Sequence, residues 1–84
     1  MFIVYCLYSR SHDKIYIGFT RDIAHRMQWH NERSKKGYTT RYRPWEVVYT
    51  ESYETKEESM RREHYLKSYR GRLFLREYIR SMGS

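Results

Sequence analysis

The run FIVYCLY at residues 2–8 decides the fold, because it is apolar or aromatic at every position. A strand of this kind is covered on both faces and lies in the middle of a sheet. Residues 9–13 are polar and turn-like. Residues 14–19 then alternate, with Tyr16 and Gly18 on one side and three apolar residues on the other. The two runs predict an antiparallel hairpin whose first strand is central.

The rest of the chain predicts helices around a third strand. In order, the patterns predict a helix from Asp22 to about Asn31, a polar and basic loop from Asn31 to Pro44 with room for a short helical turn, a strand from Trp45 to Tyr53, an amphipathic helix from Lys56 to Tyr69, and a short terminal helix around Leu73 to Ile79. Gly71 predicts the end of the long helix. With no repeat or linker in 84 residues, we expect a single domain over residues 1–84.

The charge is positive and unevenly distributed. Lys and Arg number 17 against 10 Asp and Glu, which gives a net charge of +7. Arg33 to Arg43 holds five Lys or Arg and no acidic residue, and Met60 to Arg80 holds seven against two Glu. Glu46 to Glu58, in contrast, carries five Glu and one Lys. This segregation predicts a positive face for a phosphate backbone, with charge that only maintains solubility as the alternative.

Several classes of protein are disfavoured by what the sequence contains. The lone Cys6 cannot form an internal disulfide, and no apolar run approaches the ~20 residues that span a bilayer. Residues 1–5 contain no basic residue and predict a strand rather than a signal peptide. The histidines lack the spacing of a structural zinc site, and Cys6 is expected in the core. We therefore expect a cytoplasmic protein without a membrane contact.

Polar side chains fall on faces that a folded chain usually keeps apolar. Glu63 lies in the middle of the apolar face of its predicted helix, where a carboxylate needs a cation. That cation is either an external one or Lys67, one turn later. Arg26 lies beside the apolar stripe of the first helix, one turn before His30. A guanidinium that extends to solvent and a hydrogen-bonded core histidine are the alternatives to a functional pair.

The hairpin places two phenols on one face. Tyr5 and Tyr16 belong to neighbouring strands, and Gly18 leaves the space above the sheet open beside Tyr16. Tyrosines on strands are usually packing residues, so neither phenol alone indicates a site. Together with an inward carboxylate and a guanidinium, they indicate a polar centre.

An ordered set of motifs covers almost the whole chain. It comprises Ile3-Val4-Tyr5, Tyr16-Ile17-Gly18, Arg26, His30-Asn31, Arg43-Pro44-Trp45, and Arg62-Glu63 followed by Lys67. This set resembles the GIY-YIG nucleases, especially small stand-alone bacterial members similar to the nuclease domain of the excinuclease C subunit. The first motif departs from the family pattern by keeping only its tyrosine.

The resemblance implies an α+β fold in which helices pack on a three-stranded antiparallel sheet. It also implies divalent-metal-dependent hydrolysis of DNA phosphodiester bonds, in repair or recombination. The catalytic residues it implies are Tyr5, Tyr16, Arg26, His30 and Glu63, which we call the predicted catalytic set. Glu63 would be the only protein carboxylate on one Mg²⁺ or Mn²⁺ ion.

The expected roles follow from the chemistry of each group. The planar guanidinium of Arg26 can hold two phosphate oxygens, and a metal ion on Glu63 would neutralise the leaving oxygen. Tyr5 or Tyr16 would position the attacking water, and one of them could act as base if cations lower its pKa from about 10. His30 would relay the proton or bind the scissile phosphate.

Binding to DNA is expected from the basic loop, residues 31–44, together with Lys67. The expected contacts are Arg33, Lys35, Lys36, Tyr38, Arg41, Tyr42, Arg43 and Lys67, with Trp45 at the end of the loop. Cations hold phosphates and rings stack on unpaired bases, which would favour branched DNA or single-stranded junctions. The alternatives are a non-catalytic nucleic-acid-binding module on the same fold and a domain that docks an acidic protein.

Overall fold

The computed structural model describes residues 1–33, 35 and 37–82, and Lys36 therefore lies outside the described residues. The elements are β1 (Phe2–Ser9), β2 (Lys14–Thr20), α1 (Ile23–Gln28), a π-helical turn (Trp29–Arg33), α2 (Tyr38–Arg41), β3 (Glu46–Tyr53), α3 (Lys56–Leu66) and α4 (Tyr69–Met82). No helix in the described part of the chain combines the length and apolarity needed to cross a bilayer.

The strands form one antiparallel sheet in the order β2-β1-β3. The central position of β1 and the antiparallel hairpin were both predicted from the two-sided apolar run, and both are confirmed. Tyr5 of β1 lies opposite Gly18 of β2 and Thr50 of β3. The register thus places a glycine beside the Tyr5 side chain, on the sheet face where the polar centre forms.

Apolar side chains cover both faces of the sheet. On one face, Val4 and Cys6 pack with Leu66 of α3 and Leu75 of α4. On the other, Tyr5, Leu7 and Trp45 form a second cluster, with Tyr16 and Met27 packed against it. Cys6 is fully buried, as predicted for a core residue. Since β1 contributes to both clusters, the sheet holds Tyr5 rigidly between two packed layers.

Helix α1 is shorter than the predicted helix. The Asp22 carboxylate accepts a hydrogen bond from the His25 N–H at 3.0 Å and caps its start. After Gln28 the chain enters the π-helical turn, in which the His30 side chain points into the interior. A wider turn of this kind interrupts α-helical spacing, often at a functional site.

Tertiary hydrogen bonds hold the basic loop against β3. The Asn31 amide spans the backbone of Trp45, donating to its carbonyl at 3.0 Å and accepting from its N–H at 2.7 Å. The Trp45 indole donates to the Thr39 carbonyl at 2.7 Å. The segment predicted as a loop therefore contains the short helix α2 and is fixed at both ends of that helix.

The end of the long helix was predicted wrongly. Helix α3 ends at Leu66, and Gly71 lies buried inside α4 rather than terminating a helix. A Cβ on Gly71 would lie 2.4 Å from both the Leu66 Cα and the Tyr65 carbonyl oxygen. Glycine is needed here for close contact between the two helices. The Ser68 hydroxyl accepts from the Gly71 N–H at 3.2 Å and starts α4.

Candidate active site

Three side chains of the predicted catalytic set meet on one face of the sheet. The Tyr5 hydroxyl lies 3.0 Å from Nε2 of His30. The Tyr16 ring centroid lies 4.8 Å from that of His30 and 6.3 Å from that of Tyr5. Strands β1 and β2 and the π-helical turn therefore contribute one side chain each to a compact cluster of rings.

Gly18 makes room for this cluster. A Cβ at this position would lie 2.7 Å from the Tyr5 hydroxyl oxygen and 3.3 Å from a ring carbon of Tyr16. No real Cβ tolerates the first of these distances without displacement of the phenol. The open space that the sequence predicted beside Tyr16 is thus occupied by the Tyr5 hydroxyl.

His30 is buried and electrically neutral at pH 7. Only 1% of its surface is exposed. Burial, assisted by the nearby Arg26 guanidinium, lowers the pKa of His30 to about 4. Its Nδ1 atom is buried and has no hydrogen-bond partner among the described residues. A neutral imidazole with one unengaged ring nitrogen can still accept or pass on a proton.

Tyr5 is held in its protonated form. Burial raises its pKa well above 10, Tyr16 and Glu63 raise it further, and Arg26 opposes this rise. The sequence left open which of the two phenols cations activate, and at Tyr5 burial acts against the lowering by Arg26. If the Tyr5 hydroxyl donates to Nε2 of His30, Nδ1 carries the imidazole proton.

Arg26 lies on α1 with its guanidinium carbon 5.3 Å from the centroid of the Trp29 ring. Among the described residues, no carboxylate forms an ion pair with it. Its charge nevertheless reaches the interior, because it affects the pKa values of both Tyr5 and His30. A guanidinium without a carboxylate partner beside a cluster of rings is suited to bind an anion.

Glu63 lies on α3, which packs against β1 and β2. Its carboxylate lies 3.3 Å from the Lys67 ammonium group, which confirms the ion pair that the sequence gave as one alternative. The Glu63 side chain is 20% exposed, against 46% for Lys67. Glu63 raises the pKa of Tyr5 and Arg26 lowers it, so both charges act on the buried phenol.

The donor set fits a hydrated divalent ion held by a single carboxylate. In residues 1–33, 35 and 37–82, no three His, Cys, Asp or Glu side chains cluster as a metal cage. Mg²⁺ in enzymes is commonly held by one or two carboxylates, with waters and substrate oxygens completing its shell. Glu63, partly exposed and paired only with a surface lysine, provides such a carboxylate.

The predicted DNA contacts divide into exposed and structural residues. Arg33, Lys35, Tyr38 and Arg41 are exposed, whereas Lys36 lies outside the described residues. Arg43 instead donates from Nε to the His30 carbonyl at 2.8 Å and holds the π-helical turn.

Two aromatic residues of the predicted DNA-binding surface are less accessible. Tyr42 is partly buried and packs edge-on against His12. Trp45 is buried, so its predicted stacking on bases is wrong.

Sequence reasoning missed two residues around the centre, Trp29 and Arg72. Trp29 packs edge-on against His30, with ring centroids 5.2 Å apart. It lies three positions after Arg26, and this helical spacing could have predicted that the two side chains are neighbours. Arg72 lines a groove beside Tyr16. The sequence did not indicate this, because Gly71 was predicted to end a helix and Arg72 follows it directly. Arg62, part of a quoted motif, binds the carboxylate of Glu51 with two nitrogens instead of facing the site.

Sequence comparisons relate this chain to known proteins. A family model described as "GIY-YIG catalytic domain" matches residues 1–76, a range that contains the whole predicted catalytic set. UPF0213 proteins of Staphylococcus aureus strains Mu3, Mu50 and N315 are 38% identical to this chain over 69 residues, which cover 82% of this chain and 79% of each relative. No solved structure is significantly similar to the chain.

Proposed function

The chain belongs to the GIY-YIG catalytic domain family, a family of nucleases, and from this premise we propose that it is a divalent-metal-dependent DNA endonuclease. The observation that carries the proposal is a cluster of three rings with two charged groups near enough to act on one of them. Tyr5, Tyr16 and His30 are in contact, and Arg26 and Glu63 both lie close enough to change the pKa of Tyr5.

Phosphodiester hydrolysis needs positive charge around the phosphorus and an oriented water molecule. The water forms a new P–O bond, the bond to the leaving oxygen breaks, and the products are a phosphate monoester and a hydroxyl group. Negative charge grows on the phosphate oxygens in the transition state. We assign to Arg26 the binding of two of these oxygens, because its guanidinium has no carboxylate partner in the described structure.

Tyr16 is the phenol that we assign to the attacking water. It is partly exposed, whereas Tyr5 is buried and protonated. Tyr16 would orient the water and, in its phenolate form, accept its proton, and the Tyr5–His30 pair would fix the ring against which Tyr16 packs. Tyr5 and His30 are thus positioning residues in this proposal.

Glu63 would hold the metal ion. A bound Mg²⁺ or Mn²⁺ would supply charge neutralisation at the leaving oxygen. Lys67 shares the carboxylate at 3.3 Å and would move toward the phosphate backbone when the ion binds. The same ion pair is what favours the second candidate function, a non-catalytic nucleic-acid-binding module, because Lys67 already neutralises the carboxylate.

The substrate in this proposal is branched DNA or a single-stranded junction, as expected in repair or recombination in the cytoplasm. The exposed side chains of the basic loop, Arg33, Lys35 and Arg41, would hold phosphates, and the exposed ring of Tyr38 would stack on an unpaired base.

A substitution pair tests the proposal. Purified Glu63→Gln and Arg26→Ala should stay folded, bind branched DNA within a few-fold of the wild-type affinity, and lose Mg²⁺-dependent nicking by at least about a hundredfold. Glu77→Gln and Arg70→Ala remove the same charges at exposed positions of α4 and should nick normally. Undiminished nicking by Glu63→Gln would reject the metal assignment, and absence of nicking by the wild type would favour the binding module.

A further inference from the structure

A groove beside Tyr16 includes side chains, among them Arg72, to which the proposed chemistry gives no role. It has a volume of about 290 Å³ and runs along the free edge of β2. We call it the side groove, and its lining residues are Ile15, Tyr16, Ile17, Tyr38, Lys67 and Arg72. Its size lies at the small end of ligand pockets, which span roughly 300–1,000 Å³. One flat ring with a charged group is therefore the kind of ligand that it can hold.

The floor and one wall of the side groove suit a flat apolar ring. Ile15 and Ile17 are buried core residues that form the floor. The Tyr38 hydroxyl donates to the Ile15 carbonyl at 3.0 Å, and its ring stacks on Trp45 with centroids 5.7 Å apart. Tyr38 is nevertheless 42% exposed. An exposed ring that is fixed at its hydroxyl and on one face is a ready stacking surface.

The opposite wall is cationic and fixed as well. The Arg72 Nε donates to the Lys67 carbonyl at 2.9 Å, which orients the guanidinium. Tyr38 and Arg72 both line the side groove, and the Arg72 charge opposes the rise that burial causes in the pKa of Tyr38. Lys67 in turn pairs with Glu63 at 3.3 Å. The side groove therefore leads directly to the proposed metal ligand.

We infer that the side groove binds one unpaired nucleotide adjacent to the scissile phosphate, with its base against Tyr38 and its phosphate on Arg72. This inference rests on the proposed function, because it takes the centre beside Tyr16 as the place of cleavage. A paired base is enclosed between its neighbours in the duplex and cannot enter a groove at a sheet edge, whereas an unpaired base presents a free π face. The side groove thereby selects DNA with an unpaired nucleotide next to the cut.

The test compares binding of two DNA duplexes in EDTA, where no metal-dependent cleavage proceeds. One duplex is fully paired, and the other carries a single unpaired 2-aminopurine nucleotide. The wild type should bind the second more tightly and quench its fluorescence by stacking. Tyr38→Ala and Arg72→Ala should each weaken binding to the second duplex about tenfold and leave binding to the paired duplex within about twofold. Tyr38→Phe keeps the ring and should keep the quenching.

Matched controls separate the side groove from general charge and surface effects. Arg70→Ala removes the same charge two positions away on α4, and Tyr69→Ala removes an aromatic ring that is 81% exposed. Neither should change the preference for the unpaired nucleotide. If Tyr38→Ala does not fold, Arg72→Ala against Arg70→Ala decides the outcome.

The possible results are distinct. Equal affinity of the wild type for the two duplexes, or equal losses in Arg72→Ala and Arg70→Ala, would overturn the inference. Nicking of DNA by the wild type in Mg²⁺ is scored in a separate reaction. A protein that nicks without the preference rejects the side groove alone, and one that shows the preference and never nicks rejects the endonuclease proposal alone.

Discussion

At the scale of single residues, the site depends on the pairing of a buried phenol with a buried imidazole. Glu63 and Arg26 could be placed from the sequence, because a charged residue within an apolar helical stripe is visible in the helical period. The hydrogen bond between Tyr5 and His30 could not, since the partners are 25 positions apart and meet only through a π-helical turn. The burial that fixes their protonation states is likewise a property of the assembled fold.

The low pKa of His30 predicts a pH dependence of stability. Its value is about 4 in the folded protein and ~6.5 in an unfolded chain, so the unfolded state binds more protons between these values. The free energy of unfolding should therefore be fully developed above pH ~6.5 and fall by on the order of 3 kcal/mol as the pH drops to about 4. Urea denaturation at several pH values measures this.

Substitutions isolate the contribution of His30 from that of other groups. His30→Gln should flatten the pH profile between pH ~6.5 and ~4, whereas His25→Gln, at an exposed position on α1, should leave it steep. A profile that is equally steep in His30→Gln and in the wild type would contradict burial of a neutral imidazole.

Gly18 carries a second residue-scale prediction. Gly18→Ala should destabilise the protein by about 1–3 kcal/mol, because the new methyl group must displace the Tyr5 hydroxyl from His30. In the Tyr5→Phe background the same substitution should cost measurably less, since the atom 2.7 Å from the added Cβ is gone. A double-mutant cycle by thermal denaturation gives the coupling. Strictly additive effects would mean that the phenol and the glycine do not compete for space.

At the scale of elements, short-range sequence patterns correctly predicted the strands, because strand formation here follows local apolar runs. The three strands form where the apolar and β-branched runs predicted them. The family to which the chain belongs implied the same three-stranded sheet. The π-helical turn was not predicted, and α2 was predicted only as a possible helical turn within a loop. Hydrogen bonds from Asn31 to Trp45 and from Trp45 to Thr39 hold this region, and they join distant parts of the chain. Tertiary contacts override local propensity in such segments.

Gly71 shows how a correct signal leads to a wrong boundary, and it yields a prediction of unusual sign. Replacing glycine by alanine inside a helix normally stabilises it by about 0.5–1 kcal/mol. Gly71→Ala should instead destabilise by more than about 2 kcal/mol, because the added Cβ would lie 2.4 Å from backbone atoms of Tyr65 and Leu66. Chemical denaturation measures the change, with Arg70→Ala as the neutral neighbour on the same helix. Stabilisation by Gly71→Ala would show that α3 and α4 separate easily.

At the scale of the whole molecule, the net charge of +7 is distributed unevenly along the chain. Around α4, Arg72 and Arg76 lie on one side of the buried Leu75, and Phe74 and Tyr78 pack toward Tyr49 of β3 on the other. The acidic segment from Glu46 to Glu58 forms β3 and the start of α3, where Glu46 pairs with Arg10 and Glu51 with Arg62. The positive face on which a polyanion would lie stays a prediction from the sequence.

The division of charge predicts how salt affects DNA binding, and which cations matter. The logarithm of the association constant should fall linearly with the logarithm of salt concentration, because phosphate contacts release counterions. Arg41→Ala, in the exposed basic loop, should reduce the magnitude of the slope by about 0.9. Arg61→Ala removes the same charge from α3, where Arg61 lies beside Tyr53 and Glu58, and should leave the slope unchanged. Fluorescence anisotropy over a salt series measures both, and equal reductions in the two variants would mean that net charge alone, without a defined binding face, attracts the DNA.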